Sequence, residues 1–222
     1  MKTHYIGHDD IYKKRLAAGA RGWDVSEDGY EVHQAKINDV LQMGFAPKSG
    51  KLLELGCGAG NIGLWFAEQG YSVCGVDIAP TAVDLAQKRA EESRLDAKFY
   101  VGSVIDLAEY SDNTFDFVYD SHLLHCIIGP DREKLFNSVK RVLKPGAFFL
   151  VDTMCYCEQT NHFQGFDFES KCTIWPDGTY TRYIGEEEDI LNELRNAGFK
   201  IVSNHRDESD PEGHSIIVQM TV

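Results

Sequence analysis

Nine residues, Leu53-Glu54-Leu55-Gly56-Cys57-Gly58-Ala59-Gly60-Asn61, restrict the fold of this chain more than any other stretch. An apolar run that reads as a buried strand enters a turn with glycine at every second position. An amphipathic segment leaves it, with Ile62, Trp65 and Phe66 at helical spacing. Glycine there lets the backbone turn sharply and lets a ligand approach it closely, which a Cβ prevents. A second strand, Tyr71 to Val76, ends at Asp77, 17 residues after Gly60. An acidic residue at about that distance accepts hydrogen bonds from the ribose hydroxyls of a nucleoside.

The alternation continues. Pro80 is suited to the first turn of a helix running to about Arg94. Lys98 to Val101 and Phe115 to Asp120 read as the third and fourth strands. Asp131 is a candidate N-cap for a helix with Leu135, Phe136, Val139, Val142 and Leu143 inward, and Lys144-Pro145-Gly146 stops it. Ala147 to Val151 is a fifth strand. Such order predicts right-handed crossovers and an α/β fold with a mostly parallel, doubly wound sheet. After a helix from about Glu186 to Ala197, the runs Phe199 to His205 and Ser215 to Val222 flank a short polar loop and should pair antiparallel as a hairpin. The acidic run Glu186 to Asp189 stands where that helix begins and complements its dipole.

Two stretches break the pattern. In the first, residues 1–46, positions 1–29 are polar and aromatic, and a helix is expected to follow from about Glu31 to Met43 with Val32, Ala35, Val40 and Leu41 as its apolar side. Residues 152–185 hold many aromatic residues and a turn at Trp175-Pro176-Asp177-Gly178-Thr179-Tyr180. An insertion after the fifth strand lies near the carboxyl edge of the sheet, where ligands bind in such folds. Both stretches are read as covers over one domain spanning 1–222.

The formal charge of −13 disfavours a nucleic-acid partner, because a phosphate backbone is bound through clustered Lys and Arg. No run is apolar for long enough to cross a bilayer, and Met1 to Asp10 lacks the apolar core of a signal peptide. A cytoplasmic protein with reduced thiols is expected. The sequence assigns no oligomeric state. Cys155, Cys157 and Cys172, with His162 between them, could ligate a metal, but Cys-x-Cys lacks structural-zinc spacing. No metal is therefore assigned.

Two cofactors fit the glycine turn. Gly58-x-Gly60-x-x-Gly63 matches the dinucleotide fingerprint, which makes a nicotinamide-dependent oxidoreductase the rival reading. The frame of that match is shifted from the Gly56-Cys57-Gly58 turn directly after the strand. A non-catalytic nucleoside-binding protein of the same fold is a third possibility.

Several segments resemble class I S-adenosylmethionine-dependent methyltransferases. Glu54-Leu55-Gly56-Cys57-Gly58-Ala59-Gly60 is similar to their first motif and Val76-Asp77-Ile78 to their second. Phe115 to Asp120 resembles the fourth, and Leu143-Lys144-Pro145-Gly146-Ala147 the segment before the fifth strand. Ile190-Leu191-x-x-Leu194-x-x-Ala197-Gly198-Phe199 resembles the last helix leading into the reversed hairpin. The resemblance implies a seven-stranded Rossmann-like methyltransferase sheet, S-adenosylmethionine as cofactor, S-adenosylhomocysteine as product, and a small-molecule acceptor methylated at O, N or S. It implies that Gly56, Cys57, Gly58 and Glu54 hold the methionine part, Asp77 the ribose and Ile78 the adenine. Ser103 and Val104 stand where the family often has Gly-Asp meeting the adenine amino group, and Asp120 and Ser121 would line the pocket near the sulfonium. Tyr12-x-x-Arg15, Gly22-Trp23-Asp24 and Val118-Tyr119-Asp120 resemble the thiol, thiopurine and tellurite branch, whose N-terminal aromatic covers the cofactor, which points to Trp23.

A sulfonium is an activated donor, so proximity supplies much of the catalysis. A hydroxyl or ammonium acceptor also needs a base. His122 and His125, just after the fourth strand, are the candidates, with helix capping or packing as the competing role for either.

Overall fold

The computed structural model describes residues 1–23, 27–207 and 215–222. Five strands carry the parallel part of the sheet: β1 (Gly50–Leu55), β2 (Tyr71–Asp77), β3 (Ala97–Val101), β4 (Phe115–Ser121) and β5 (Leu143–Met154). β1 pairs in parallel with β2 and β4, and β3 and β5 extend the sheet on either side. Helices α3 (Asn61–Glu68), α4 (Pro80–Ser93) and α5 (Pro130–Val142) make the crossovers. Two short strands and β8 (Tyr180–Tyr183) intervene: β6 (Phe166–Asp167) and β7 (Cys172–Ile174) complete a separate three-stranded antiparallel sheet. Helix α6 (Glu187–Asn196) leads to β9 (Lys200–Arg206) and β10 (Ser215–Thr221). The large sheet has the order β3-β2-β1-β4-β5-β10-β9. β10 lies antiparallel to both neighbours, so it alone runs against the other six strands.

This is the seven-stranded doubly wound sheet with an antiparallel closing pair that the sequence predicts. Both faces are covered, which explains the unbroken apolar runs. Leu53, Val118 and Val151 face α5 and α6, whereas Leu52, Phe117 and Leu150 face Ile37, Ile62 and Phe66 on the other side.

Several boundaries differ from expectation for local reasons. Gly129, with Pro130 behind it, occupies the N-cap of α5 in place of Asp131, which sits in the first turn and accepts from Tyr5 Oη at 3.1 Å. Pro130 fixes φ for a helix start, so the helix begins two residues earlier than expected. β5 resumes at Leu143 opposite Phe115, with an irregularity around Lys144-Pro145-Gly146, so that motif ends the helix from inside the sheet. β5 also runs on to Met154, and Asp152 and Thr153 belong to it rather than to the insertion. Glu186 caps α6, and its backbone N–H donates to Asp189 Oδ2 at 2.9 Å.

The larger difference is N-terminal. A helix the sequence reading did not expect, α1 (Gly7–Ala17), precedes α2 (Glu27–Gln42). α1 buries only Asp9 and Tyr12, so it has no apolar stripe to betray it. In α2, Ile37 and Val40 are buried but Val32 is 54% exposed, so the expected apolar side is rotated towards His33 and Lys36. Asp24 and the loop between β9 and β10 over 208–214 lie outside the described residues.

The turn between β4 and α5 is held by Arg132, which is buried. Its guanidinium donates to the carbonyls of Leu124 (2.7 Å) and Ile127 (3.2 Å) and to Glu193 (2.7 Å). Arg132→Met should lower unfolding stability by about 3 kcal/mol, because two carbonyls and a partly buried carboxylate lose their donor. Urea unfolding checks this, and a loss under roughly 1 kcal/mol would show that water replaces the guanidinium.

Candidate functional site

At the carboxyl edge of the sheet, the turns after β1, β2 and β4 open onto a cavity of about 690 Å³, within the roughly 300–1,000 Å³ of small-molecule sites. Its floor is the glycine turn. Gly56, Gly58 and Gly60 all have positive φ (71°, 49° and 78°), so the turn is one that L-residues rarely adopt. A Cβ at Gly58 would run into the Tyr12 hydroxyl, and one at Gly56 would lie 2.6 Å from Leu123.

The turn is tied down from β2. The N–H groups of Gly56 and Cys57 both reach Val76 O, at 2.8 and 3.1 Å, and Gly60 N–H reaches Cys57 O. Asp77 accepts from Gly58 N–H at 2.9 Å through Oδ2 and from Ala79 N–H at 2.8 Å through Oδ1. Burial raises the Asp77 pKa, and these two backbone donors counteract it. A carboxylate has about four acceptor sites, so each oxygen retains one for a ribose hydroxyl.

Glu54 is buried beneath the turn and lines the cavity, with Oε2 lacking a hydrogen-bond partner. Burial pushes its carboxyl up to about 8, against the pull of Ser121. Ile78, Ser103, Val104 and Ser121 also line the cavity. Ser103 Oγ accepts from Ile105 N–H at 3.2 Å. Above the floor, Tyr12 is buried, Trp23 stands edge-on to it at 5.5 Å, and the Arg15 guanidinium lies 4.8 Å over the Trp23 ring while donating to the Trp23 carbonyl. Asp9 Oδ1 accepts from Thr81 N–H at 2.8 Å and docks α1 on the start of α4.

The two cofactors left open by the sequence make different demands on this floor. A pyrophosphate needs free N–H donors at the strand-to-helix turn. Here the N–H groups of Gly56, Cys57, Gly58 and Gly60 are all consumed within the protein, and the buried carboxylate of Asp77 opposes a second anion. An ammonium-bearing nucleoside meets the opposite: an orphaned carboxylate oxygen at Glu54 and an acid at ribose position. The residues present fit S-adenosylmethionine.

The other half of the cavity was largely missed from sequence. Asp152, near the end of β5, is buried and paired with Lys36 Nζ at 2.6 Å; His33 Nε2 stands at 3.4 Å and His122 Nδ1 at 3.7 Å. These partners overcome burial and hold Asp152 well below the usual carboxylate range. Lys36 also pairs with Asp207 at 3.0 Å, and the two acids together raise its pKa despite burial. His33 Nε2 lies 2.5 Å from Tyr119 Oη. The missed signal was His33 and Lys36 at i, i+3 on the face of α2 that carries Ile37 and Val40, polar residues on an otherwise buried face.

The two histidines separate. His122 has φ 57°, a conformation costly for a non-glycine residue and worth reading as a functional mark, and its side chain is 40% exposed into the cavity mouth. His125 is 5% exposed and 3.4 Å from Thr153 Oγ1. Burial, with His122 and Arg182 nearby, drives its pKa well below normal and keeps it neutral. Asp120 departs from expectation. It is buried, does not line the cavity, and accepts from the N–H groups of Leu123 (3.1 Å) and Leu124 (2.9 Å). It caps the turn that carries His125 because its side chain turns onto the N–H groups three and four residues ahead of it. Every other residue expected at the site, Trp23, Glu54, Gly56, Cys57, Gly58, Asp77, Ile78, Ser103, Val104, Ser121, His122 and His125, is on the cavity wall.

Comparison with known proteins agrees with this geometry. A family model described as a methyltransferase domain matches residues 53–151. The chain is 28% identical over 200 residues to a ubiquinone biosynthesis O-methyltransferase of Xanthomonas axonopodis pv. citri, covering 87% of this chain and 82% of that one. It is 36% identical over 119 residues to a 2-heptyl-1-hydroxyquinolin-4(1H)-one methyltransferase of Mycobacteroides abscessus, covering 53% and 51% of the two chains. In fold it is similar to the Burkholderia thailandensis 1,6-didemethyltoxoflavin-N1-methyltransferase, crystallised with its substrate and S-adenosylhomocysteine (TM-score 0.70, 20% identity, 97% of this chain and 87% of that one).

The Glu54 carboxyl makes a pH prediction. In the unfolded chain its pKa is near 4.5 and in the folded chain about 8. Between those values the folded state holds a proton that the unfolded state has released, so this group's contribution to stability falls as pH rises from 4.5 through 8. Glu54→Gln removes that contribution. In thermal melts of ligand-free protein the variant should gain on wild type as the pH is raised, by at least about 1 kcal/mol or roughly 2–4 °C. Parallel profiles would mean that Glu54 is already ionised.

Proposed function

We propose that this chain, a class I S-adenosylmethionine-dependent methyltransferase, moves the methyl group to a hydroxyl oxygen of a small molecule with a largely apolar body, His122 taking the proton. The observation that carries this reading is the continuity of the cavity, from the glycine turn to the pair of His122 with a buried, lysine-neutralised Asp152. When bound, the cofactor supplies a methyl group already activated on a sulfonium, so the acceptor needs alignment and loss of its proton.

Glu54 takes the ammonium group of the cofactor and Asp77 its ribose, while Trp23 and Tyr12 close the cavity above the glycine turn. Residues 1–46 and 155–185 act as the covers of one domain. Asp152 orients His122 through Nδ1, which leaves Nε2 as the acceptor of the hydroxyl proton. His125, buried and neutral, packs behind it against Thr153. Leu123, Ile127, Met154 and Phe163 give the acceptor chamber its apolar walls. The relative named above as an O-methyltransferase supports a hydroxyl acceptor.

A net charge of −13 favours a small molecule over nucleic acid. Among the described residues no helix is long and apolar enough to cross a membrane. The six cysteines, with no disulfide among the described residues, suit a reducing compartment, and we assign the protein to the cytoplasm.

Calorimetric titration should show S-adenosylmethionine and S-adenosylhomocysteine binding in the micromolar range, with NAD and NADP giving no heat. Binding of a nicotinamide nucleotide alone would overturn the assignment. With an acceptor in hand, His122→Asn should lower kcat about 10²–10⁴-fold, the range of general-base catalysis, with cofactor affinity unchanged. His125→Asn should act chiefly on stability. If His122→Asn leaves kcat intact, alignment alone suffices and no base is used.

A further inference from the structure

Lysine and arginine contribute two cations to the cavity wall, of which one is matched by acids and one is the exception. Lys36 answers Asp152 and Asp207, and the acids Glu54 and Asp77 lie at the cofactor end. The exception is Arg182 in β8. It lines the cavity, and among the described residues its guanidinium has no hydrogen-bond or ion-pair partner. Its field nevertheless enters the chamber: it counts against protonation of His125 and in favour of ionisation of Cys126, both wall residues. In a chain with 35 acidic and 22 basic residues, a wall cation left without an acid is unusual. The same cavity wall carries apolar side chains, among them Ile127, Met154 and Phe163.

An apolar chamber with one unmatched guanidinium selects a molecule with an apolar body and an oxyanion, because the planar fork binds a carboxylate through two parallel N–H···O bonds. We propose that Arg182 is the specificity-determining residue of the acceptor chamber and that the acceptor carries a carboxylate or equivalent oxyanion besides the hydroxyl that is methylated. The proposal rests on the reading of the cavity as a small-molecule hydroxyl site. It adds a chemical class to the acceptor and assigns its recognition to the three-stranded sheet, outside the Rossmann-like layers that hold the cofactor. Arg182 is exposed at the mouth, so its charge is screened by water until a ligand covers it. Its effect is therefore expressed in acceptor affinity and not in the stability of the protein alone.

The test uses the full chain saturated with S-adenosylhomocysteine, titrated with 4-hydroxybenzoate and with 4-hydroxybenzamide, which match in shape and differ in charge. The acid should bind about tenfold or more tightly than the amide, the ratio expected for one charged hydrogen-bonding pair. Arg182→Met should bring the acid down to the amide, Arg182→Lys should retain part of the preference, and both variants should melt with wild type. Equal binding of acid and amide, binding of neither, or an acid affinity unaffected by Arg182→Met would overturn the proposal. If the acid binds through Arg182 but no methyl ether forms when S-adenosylmethionine is supplied, the anion site stands and the hydroxyl-transfer reading falls.

Discussion

Asp77 joins two turns that would otherwise be independent. Its carboxylate takes one N–H from the glycine turn after β1 and another from the turn that starts α4, at 2.9 and 2.8 Å. With the Val76 carbonyl accepting from Gly56 and Cys57, the end of β2 fixes the path of the turn before any ligand arrives. The donors that a phosphate would seek are spent in this fixing, and Glu54 and Asp77, buried near each other, leave a floor of carboxyl acceptors. The selectivity for a cationic nucleoside is therefore built into the same hydrogen bonds that shape the backbone. A site of this kind needs little reorganisation on binding, since its dipoles are already set.

The opposite end of the cavity is organised around another buried acid with the reverse electrostatics. Asp152 is surrounded by Lys36, His33 and His122, and its charge is stabilised where that of Glu54 is suppressed. Two buried carboxyls at one site are thus pushed in opposite directions by their surroundings. One stays poised to receive a positive group, and the other is already satisfied and serves to hold a histidine. Such divergence between neighbouring acids marks a division of labour within a site.

The strands and crossovers were legible in the sequence because a sheet covered on both faces writes itself as apolar runs, and the glycine turn and Asp77 because backbone geometry demands particular residues there. α1 was not legible, since it docks through Asp9 and Tyr12 and carries no apolar stripe. Asp120 and Asp152 occupy comparable places at the ends of adjacent strands, yet one caps the turn that follows it and the other pairs with Lys36 behind the cavity wall. No pattern of residue types distinguishes them; the course of the next three residues does. His33 and Lys36 were hidden for a related reason: a polar residue on a helix reads as solvent-facing until the helix is known to pack against a cavity.

The strand order has a consequence for how the chain assembles. β9 meets the sheet only across β10, which lies between it and β5. β1 to β5 can pair as they are made, but β9 has no partner until the segment that follows it has inserted. The two must therefore join as a preformed ribbon, in one late step that pairs β10 with a strand some 60 to 70 residues earlier, a contact whose loop entropy slows folding. Until then β5 presents an open edge and the apolar face that Ile216, Val218 and Met220 later cover remains wet. The interval before that closure is when the nascent protein is most exposed to edge-to-edge association.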